Sequence, residues 1–286
     1  MTIVLAKPRV DGLSEAVSVL REWQRDEAPL QLHPGDLGWF WRFGAEATAA
    51  AVRTWSRGGR ILAVGLLDGP GLMRLTTAPD AWRDEELARQ MAGDMAEPER
   101  GVLPAGKACV EAPMGALVRD VLFEAGWNAD APWAPLRYDL TEPVQDPGVR
   151  VEVIGPERAH VRAAVHRASF ESPRFTGERW HAMAAGPAYA DARCLVAYDG
   201  QDNAVAAVTV WSAGPGRPGL LEPMGVHADH RGHGYGRAVC VAAAGALQRL
   251  GSSSALVCTA KAAGIATYES AGFQRLPERL DISRAA

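Results

Sequence analysis

The sequence holds no uninterrupted apolar run near the roughly 18 residues that a membrane span needs. Its apolar opening, Thr2 to Ala6, breaks at Lys7-Pro8, which is too short for a secretory signal, so a cytoplasmic location is expected. Cysteine is scarce: Cys109, Cys194, Cys240 and Cys258 are scattered without C-x-x-C spacing. That argues against a disulfide framework or a zinc site and leaves four reduced core residues. A dominant charge is also missing, since 30 Lys+Arg against 34 Asp+Glu give a net charge of −4. No stretch has the basic density of a nucleic-acid binder. Neither nucleic acid nor membrane is expected as a partner, and an oligomer remains open. What is present is near-average: 286 residues, 48% hydrophobic and 22% charged, enough for one large or two ordinary domains with cores of their own.

The near-neutral total conceals an asymmetry. Residues 150–286 carry 15 Lys+Arg against 12 Asp+Glu, and residues 1–149 carry 15 against 22. The basic half is the one suited to a polyanionic ligand. The two halves also share a pattern. Val4-Leu5-Ala6-Lys7-Pro8 leads into a helical periodicity through Leu13, Val17 and Leu20, and Val153-Ile154-Gly155-Pro156 leads into one through Val161, Val165 and Phe170. At their ends, Glu124-Ala125-Gly126-Trp127 precedes Pro135 to Leu140, and Ser270-Ala271-Gly272-Phe273 precedes Pro277 to Ile282. A shared start, a shared end and offsets of 148, 146 and 142 residues indicate tandem copies. The expected division is 1–141, a linker at 142–149 marked by Pro143 and Pro147, and 150–286.

In the second half, the strand-like Leu220 to Val226 runs into Arg231-Gly232-His233-Gly234-Tyr235-Gly236-Arg237, which opens a helical stretch from Ala238 to Leu250. A glycine-rich turn at a helix N-terminus offers unpaired N–H groups and the positive end of the helix dipole to a phosphate-bearing ligand. Arg231 and Arg237 add positive charge beside it. Neither the dinucleotide-binding G-x-G-x-x-G nor the G-x-x-x-x-G-K-[ST] loop fits the spacing; R-x-x-G-x-G fits, as Arg231, Gly234 and Gly236. The remaining elements read as helix Ala159–Phe170, strands Cys194–Tyr198, Ala204–Trp211 and Ala255–Cys258, helix Ile265–Ala271 and strand Leu280–Ile282.

With that loop, with Glu222-Pro223-Met224-Gly225-Val226-His227 upstream, and with Thr267-Tyr268-Glu269-Ser270-Ala271-Gly272-Phe273 downstream, the chain resembles the GNAT superfamily of acyl-CoA-dependent N-acyltransferases over roughly residues 150–284. The resemblance implies an α/β fold of two tandem GNAT-like domains, each a mixed, mostly antiparallel sheet flanked by helices. It implies acetyl-CoA as co-substrate, with no metal, held by Met224, Gly225, Val226, Arg231, Gly232, His233, Gly234, Tyr235, Gly236, Arg237 and Lys261. Lys261 stands where the family commonly has Asn. Tyr268 occupies the general-acid position, and Glu222 is the candidate base that frees the amine lone pair. Phe170, Glu171, Phe175 and Trp180 fall where substrate pockets form. His227, His230 and His233 lie at a strand end and a turn without acidic or cysteine partners at ligand spacing, so they are read as lining the cofactor mouth.

The first half lacks the glycine loop. After Gly71 to Thr77 it has Ala78 to Glu86 with Asp80, Asp84, Glu85 and Glu86, which would occupy the helix N-terminus and repel a pyrophosphate. This copy is expected to be degenerate. Its Trp39-Phe40-Trp41-Arg42-Phe43 is open to a role as a pocket wall, as a face against the second copy, or as core. The expected function is acetyl transfer from acetyl-CoA to the primary amine of a small-molecule acceptor. A mycothiol-synthase-like acetyltransferase and a non-catalytic acyl-CoA sensor or scaffold are the alternatives.

Overall fold

The structure is a computed structural model that describes residues 1–285. Contacts divide the chain into two compact units that interleave in sequence. Unit 1 comprises residues 1–33, 45–133 and the stretch from Glu278 onward; unit 2 comprises residues 34–44 and 134–277. The linear division at 142–149 is therefore a division of the chain, whereas the packing units exchange segments across it.

Unit 1 begins with β1 (Ile3–Ala6) and α1 (Leu13–Trp23). In α1, Leu13, Ala16, Val17 and Leu20 are buried, the i, i+3, i+4, i+7 stripe of an amphipathic helix. The chain then gives α2 (Pro34–Phe40) and a 3-10 turn at Trp41–Phe43 to unit 2. Unit 1 resumes with α3 (Ala45–Ala51), β2 (Val52–Arg57), β3 (Arg60–Leu67), β4 (Leu72–Thr77), α4 (Glu85–Ala96), β5 (Ala108–Glu111) and α5 (Leu117–Glu124). Next comes β6 (Asn128–Asp139), followed in unit 2 by β7 (Val151–Val153), α6 (Ala159–Phe170), α7 (Gly177–Ala184), β8 (Ala192–Tyr198), β9 (Ala204–Trp211) and β10 (Gly219–Val226). Then α8 (Tyr235–Arg249), β11 (Ser254–Thr259), α9 (Ala262–Ser270) and β12 (Gln274–Arg275) complete unit 2, and β13 (Arg279–Arg284) returns to unit 1.

The strand order in unit 1 is β1-β2-β3-β4-β5-β13 followed by residues 128–133 of β6; in unit 2, residues 134–139 of β6 are followed by β11-β10-β9-β8-β7. Both sheets are antiparallel except for one internal parallel pair, β4 with β5 and β10 with β11. Each is a mixed sheet with helices, laid out to one plan, as the repeated sequence pattern requires. The matching stretches 135–140 and 277–282 fall on β6, which ends at Asp139, and on β13, which begins at Arg279 and contains the expected strand Leu280–Ile282. However, β13 pairs with β5 and with residues 128–133 in unit 1, while residues 134–139 pair with β11 in unit 2. Among the described residues, no helix is long and apolar enough to cross a membrane.

Unit 1 carries an ionic cluster on β4, β5, β13 and the turn before β4, buried at Glu111, Arg279 and Asp281 and half-buried at Asp68 and Arg74. Arg74 Nε lies 3.0 Å from Asp68 Oδ2, Arg279 Nη2 lies 3.3 Å from Glu111 Oε2, and Arg279 Nε lies 3.2 Å from Asp281 Oδ1. Burial pushes the Asp281 carboxyl up to about 6, against the opposing pull of Arg279. The folded chain thus holds this proton more tightly than the unfolded chain. The stability it contributes is complete below the ordinary carboxylate pKa of about 4 and is lost as pH rises through about 6. Asp281→Asn is expected to flatten the fall in melting temperature across that window relative to the parent. Parallel melting curves for the two proteins would show that another group titrates there.

Candidate functional site

A cleft in unit 2 opens where a parallel strand pair separates. Pairing of β10 with β11 covers only Gly219↔Ala255 and Leu220↔Leu256. Beyond it a cleft of about 580 Å³ is lined by residues 221–226 on one side and Val257, Cys258 and Thr259 on the other. Along its opposite edge β10 stays on β9 but gains a residue: Leu221 opposes Val210, and Met224 opposes Val208. The bulge falls at Glu222-Pro223, whose peptide bond is cis. Proline has no N–H to give the ladder, which suits it to a bulge, and the Glu222 carbonyl accepts instead from Trp211 Nε1 at 2.7 Å.

The glycine turn forms the outer wall. Gly232 and Gly234 have φ of 81° and 82°, in the left-handed region that other residues enter only at a cost. Gly234 is the N-cap of α8, so the helix starts at Tyr235, three residues before the periodicity suggested, and no side chain caps it. Its first-turn N–H groups are the donors that such a helix end presents. At Gly236 a Cβ would sit 2.8 Å from Thr267 Cγ2, so α8 and α9 meet there only because the side chain is missing. Arg231 Nη2 donates to the Ser169 carbonyl at the end of α6 (2.8 Å), and Arg237 Nε donates to the Ser270 carbonyl at the end of α9 (3.1 Å). Both guanidinium groups are fixed on helix C-termini, where cations are favoured, and stay beside the turn. Lys261 is the N-cap residue of α9 and also lines the cleft.

Glu222 and Tyr268 both line the cleft. Tyr268 is buried, with its ring 5.7 Å from that of Phe273. Burial, reinforced by Cys240, Glu222 and Cys258, raises its phenol well above 10, so it holds its proton at neutral pH.

Of the residues singled out from the sequence, Met224, Gly225, Val226, Arg231, Gly232, Gly234, Tyr235, Gly236, Arg237, Lys261, Glu222, Tyr268 and Phe170 line this one cleft. Five others, His233, Glu171, Phe175, Trp180 and His227, lie outside its lining. His233 is exposed at the turn, with Nδ1 2.9 Å from the Arg231 carbonyl. Glu171 is exposed in a left-handed conformation, φ 49°, where α6 ends. Phe175 is buried against Trp39 and His166, with centroids 5.0 and 4.8 Å away; burial pulls that histidine down to about 3. Trp180 is buried, with Nε1 3.3 Å from Cys194 Sγ. Of the three spaced histidines, His230 lines the cleft, whereas His227 Nδ1 accepts from the Asp229 N–H at 3.3 Å. Among the described residues, no group of three or more His, Cys, Asp or Glu could hold a metal ion. Sequence reasoning missed Ser169, Pro223, Cys258, Thr259, Gly264 and Thr267, which also line the cleft. Thr267, in the second half of α9, would have been found by asking what packs against Gly236.

At the matching place in unit 1, the helix after β4 is capped by a side chain: Asp84 accepts from the Leu87 N–H at 2.9 Å and pairs with Arg57 at 2.7 Å. Asp80 pairs with Arg60 at 2.7 Å.

Residues 190–275, which contain the parting strands, the turn and Tyr268, match the family model described as an acetyltransferase (GNAT) domain. The match covers 86 of the 286 residues and lies wholly in the second half of the chain. No curated protein matches the chain. Solved structures are similar over its whole length. A GNAT-family acetyltransferase from Colwellia psychrerythraea has a TM-score of 0.61 at 14% identity, covering 100% of both chains. A GCN5-related N-acetyltransferase from Sphaerobacter thermophilus has 0.58 at 16%, covering 99% of this chain and 95% of its own. A tandem GNAT protein from the clavulanic acid biosynthesis pathway has 0.56 at 14%, covering 99% and 98%. At these identities the likeness is one of fold.

Gly225 tests how tightly the cleft floor is packed, because a Cβ there would lie 2.6 Å from Ser169 Cβ and 3.0 Å from Phe170 Cε2. Gly225→Ala is expected to cost about 1–3 kcal/mol of stability, read as a lower melting temperature. A wild-type melting curve would mean that α6 yields freely.

Proposed function

We propose that the protein transfers an acetyl group from acetyl-CoA to the primary amine of a small-molecule acceptor, with unit 2 as the catalytic unit. One observation carries the reading. A single cleft joins an uncapped glycine turn at a helix N-terminus, flanked by two anchored arginines, to a carboxylate and a buried, protonated phenol. The turn suits a diphosphate. The edge of β10 that has left β11 suits an extended amide-bearing arm, which would take up backbone hydrogen bonds as an added strand does.

The chemistry then follows from charge. An alkyl ammonium with a pKa of about 10 has no free lone pair at neutral pH. Glu222 accepts its proton, the amine nitrogen forms a bond to the thioester carbonyl carbon, and the carbon–sulfur bond breaks. The departing thiolate takes the Tyr268 proton, and the nitrogen, positively charged once it has bonded to carbon, releases its second proton to solvent, giving an amide and free thiol. The proton on Glu222 leaves to solvent, and Tyr268 is reprotonated from solvent, so the cycle closes without a net proton change at the protein.

The first copy is read as degenerate. At the offset of 148 residues Arg74 stands opposite Glu222, and at the offset of 146 Leu122 stands opposite Tyr268. The Asp84 carboxylate already occupies the N-terminus of α4. Neither acid nor base is retained there, and a diphosphate would meet negative charge.

Three substitutions test the reading. Gly234→Glu is expected to abolish acetyl-CoA binding in calorimetry, while Arg83→Glu beside Trp82 leaves it intact; equal loss at both would contradict a single site in unit 2. Tyr268→Phe is expected to lower kcat on the order of 100-fold with little change in coenzyme affinity, and unchanged turnover would remove the phenol from the reaction. Glu222→Gln is expected to depress the rate most at low pH and to converge on wild type where the amine is itself deprotonated. A constant ratio across pH would leave Glu222 without a proton-transfer role.

A further inference from the structure

We infer that Trp211 is a positioning residue for Glu222, seated by two glycines that the first half of the chain contributes to unit 2. This rests on Glu222 acting as the base. The extra residue in β10 takes the Glu222 carbonyl out of the regular ladder with β9, and a buried backbone acceptor left without a donor is costly. Trp211, on β9, is buried and donates its indole N–H to that carbonyl at 2.7 Å. The bond fixes the backbone from which the Glu222 side chain projects into the cleft. The bulge is tied by a rigid ring.

The ring in turn is held by its surroundings. A Cβ on Gly35 would fall 2.5 Å from Trp211 Cγ, and a Cβ on Gly38 would fall 2.3 Å from Trp211 Cζ3. The i, i+3 glycine face of α2 therefore lies directly on the indole, closer than any other residue type permits. Tyr189 meets the same ring edge-on, with centroids 6.0 Å apart. Other parts of the 34–44 segment are anchored in unit 2 as well: Trp41 covers Gly186, and Trp39 packs on His166 and Phe175. The segment from the first copy thus does a specific job in the second, setting where the carboxylate stands relative to the amine.

The test compares pH–rate profiles and coenzyme affinity for Trp211→Phe, Gly38→Ala, Glu222→Gln and the Trp211→Phe/Glu222→Gln double variant. Trp211→Phe keeps an aromatic ring and removes the donor; Gly38→Ala keeps the donor and displaces the ring, and serves if the first variant fails to fold. Either is expected to lower kcat at neutral pH by about tenfold or more, to leave the acetyl-CoA dissociation constant within about twofold, and to approach wild type where the amine is deprotonated. The double variant should fall no further than Glu222→Gln alone. Three results would overturn the inference. A wild-type pH profile in Trp211→Phe, with an altered one in Glu222→Gln, rejects the positioning role while sparing the base. A loss uniform across pH that tracks a lower melting temperature assigns Trp211 to packing only. A wild-type profile in Glu222→Gln rejects the base itself, and the positioning role with it.

Discussion

The parting of β10 from β11 after two paired residues is the constraint on which the site depends. Adjacent parallel strands normally satisfy one another's backbone groups. Where they separate, their edges become available, and side chains from both strands and from the helices that follow them converge on the gap. The elements around it meet at distances that only small residues allow, with Gly225 under α6 and Gly236 against Thr267. These contacts fix the mouth of the cleft, so that Arg231, Arg237 and the first turn of α8 face one volume.

Two units built to one strand plan differ at this place for identifiable reasons. In unit 2 the turn before α8 is made of glycines and its helix end has no side-chain cap; in unit 1 the helix end is closed by Asp84, itself paired with Arg57. Parallel pairing in unit 1 extends over Leu72, Met73 and Arg74, one residue further than in unit 2, and the ionic cluster of Asp68, Arg74, Glu111, Arg279 and Asp281 sits on β4, β5, β13 and the turn before β4.

Much of this was legible in the sequence because it is local. Alternating glycines between a strand and a helix mark a tight turn at a helix N-terminus, and helix Ala159–Phe170 and strand Ala204–Trp211 have in the structure the ends that the sequence suggests. The helical periodicity begins at Ala238, three residues after the true start of α8, because a glycine cap and the turn beside it carry no apolar period, although Gly234 is itself the cap. What was not legible is non-local. No periodicity announces that β13 joins the sheet of unit 1, that 134–139 joins that of unit 2, or that 34–44 packs in unit 2. Phe175 and Trp180 fell in the expected stretch, but a sequence pattern does not say which aromatics turn to the cleft and which to the core. Trp211 went unnoticed because its significance lies in one hydrogen bond across a bulge and in two glycines over 170 residues away.

A crystal structure with acetyl-CoA tests the central claim most directly. The diphosphate should rest on the backbone amides of residues 232–236, with the thioester between Glu222 and Tyr268. Density for the ligand in unit 1, or a diphosphate held away from that turn, would contradict it.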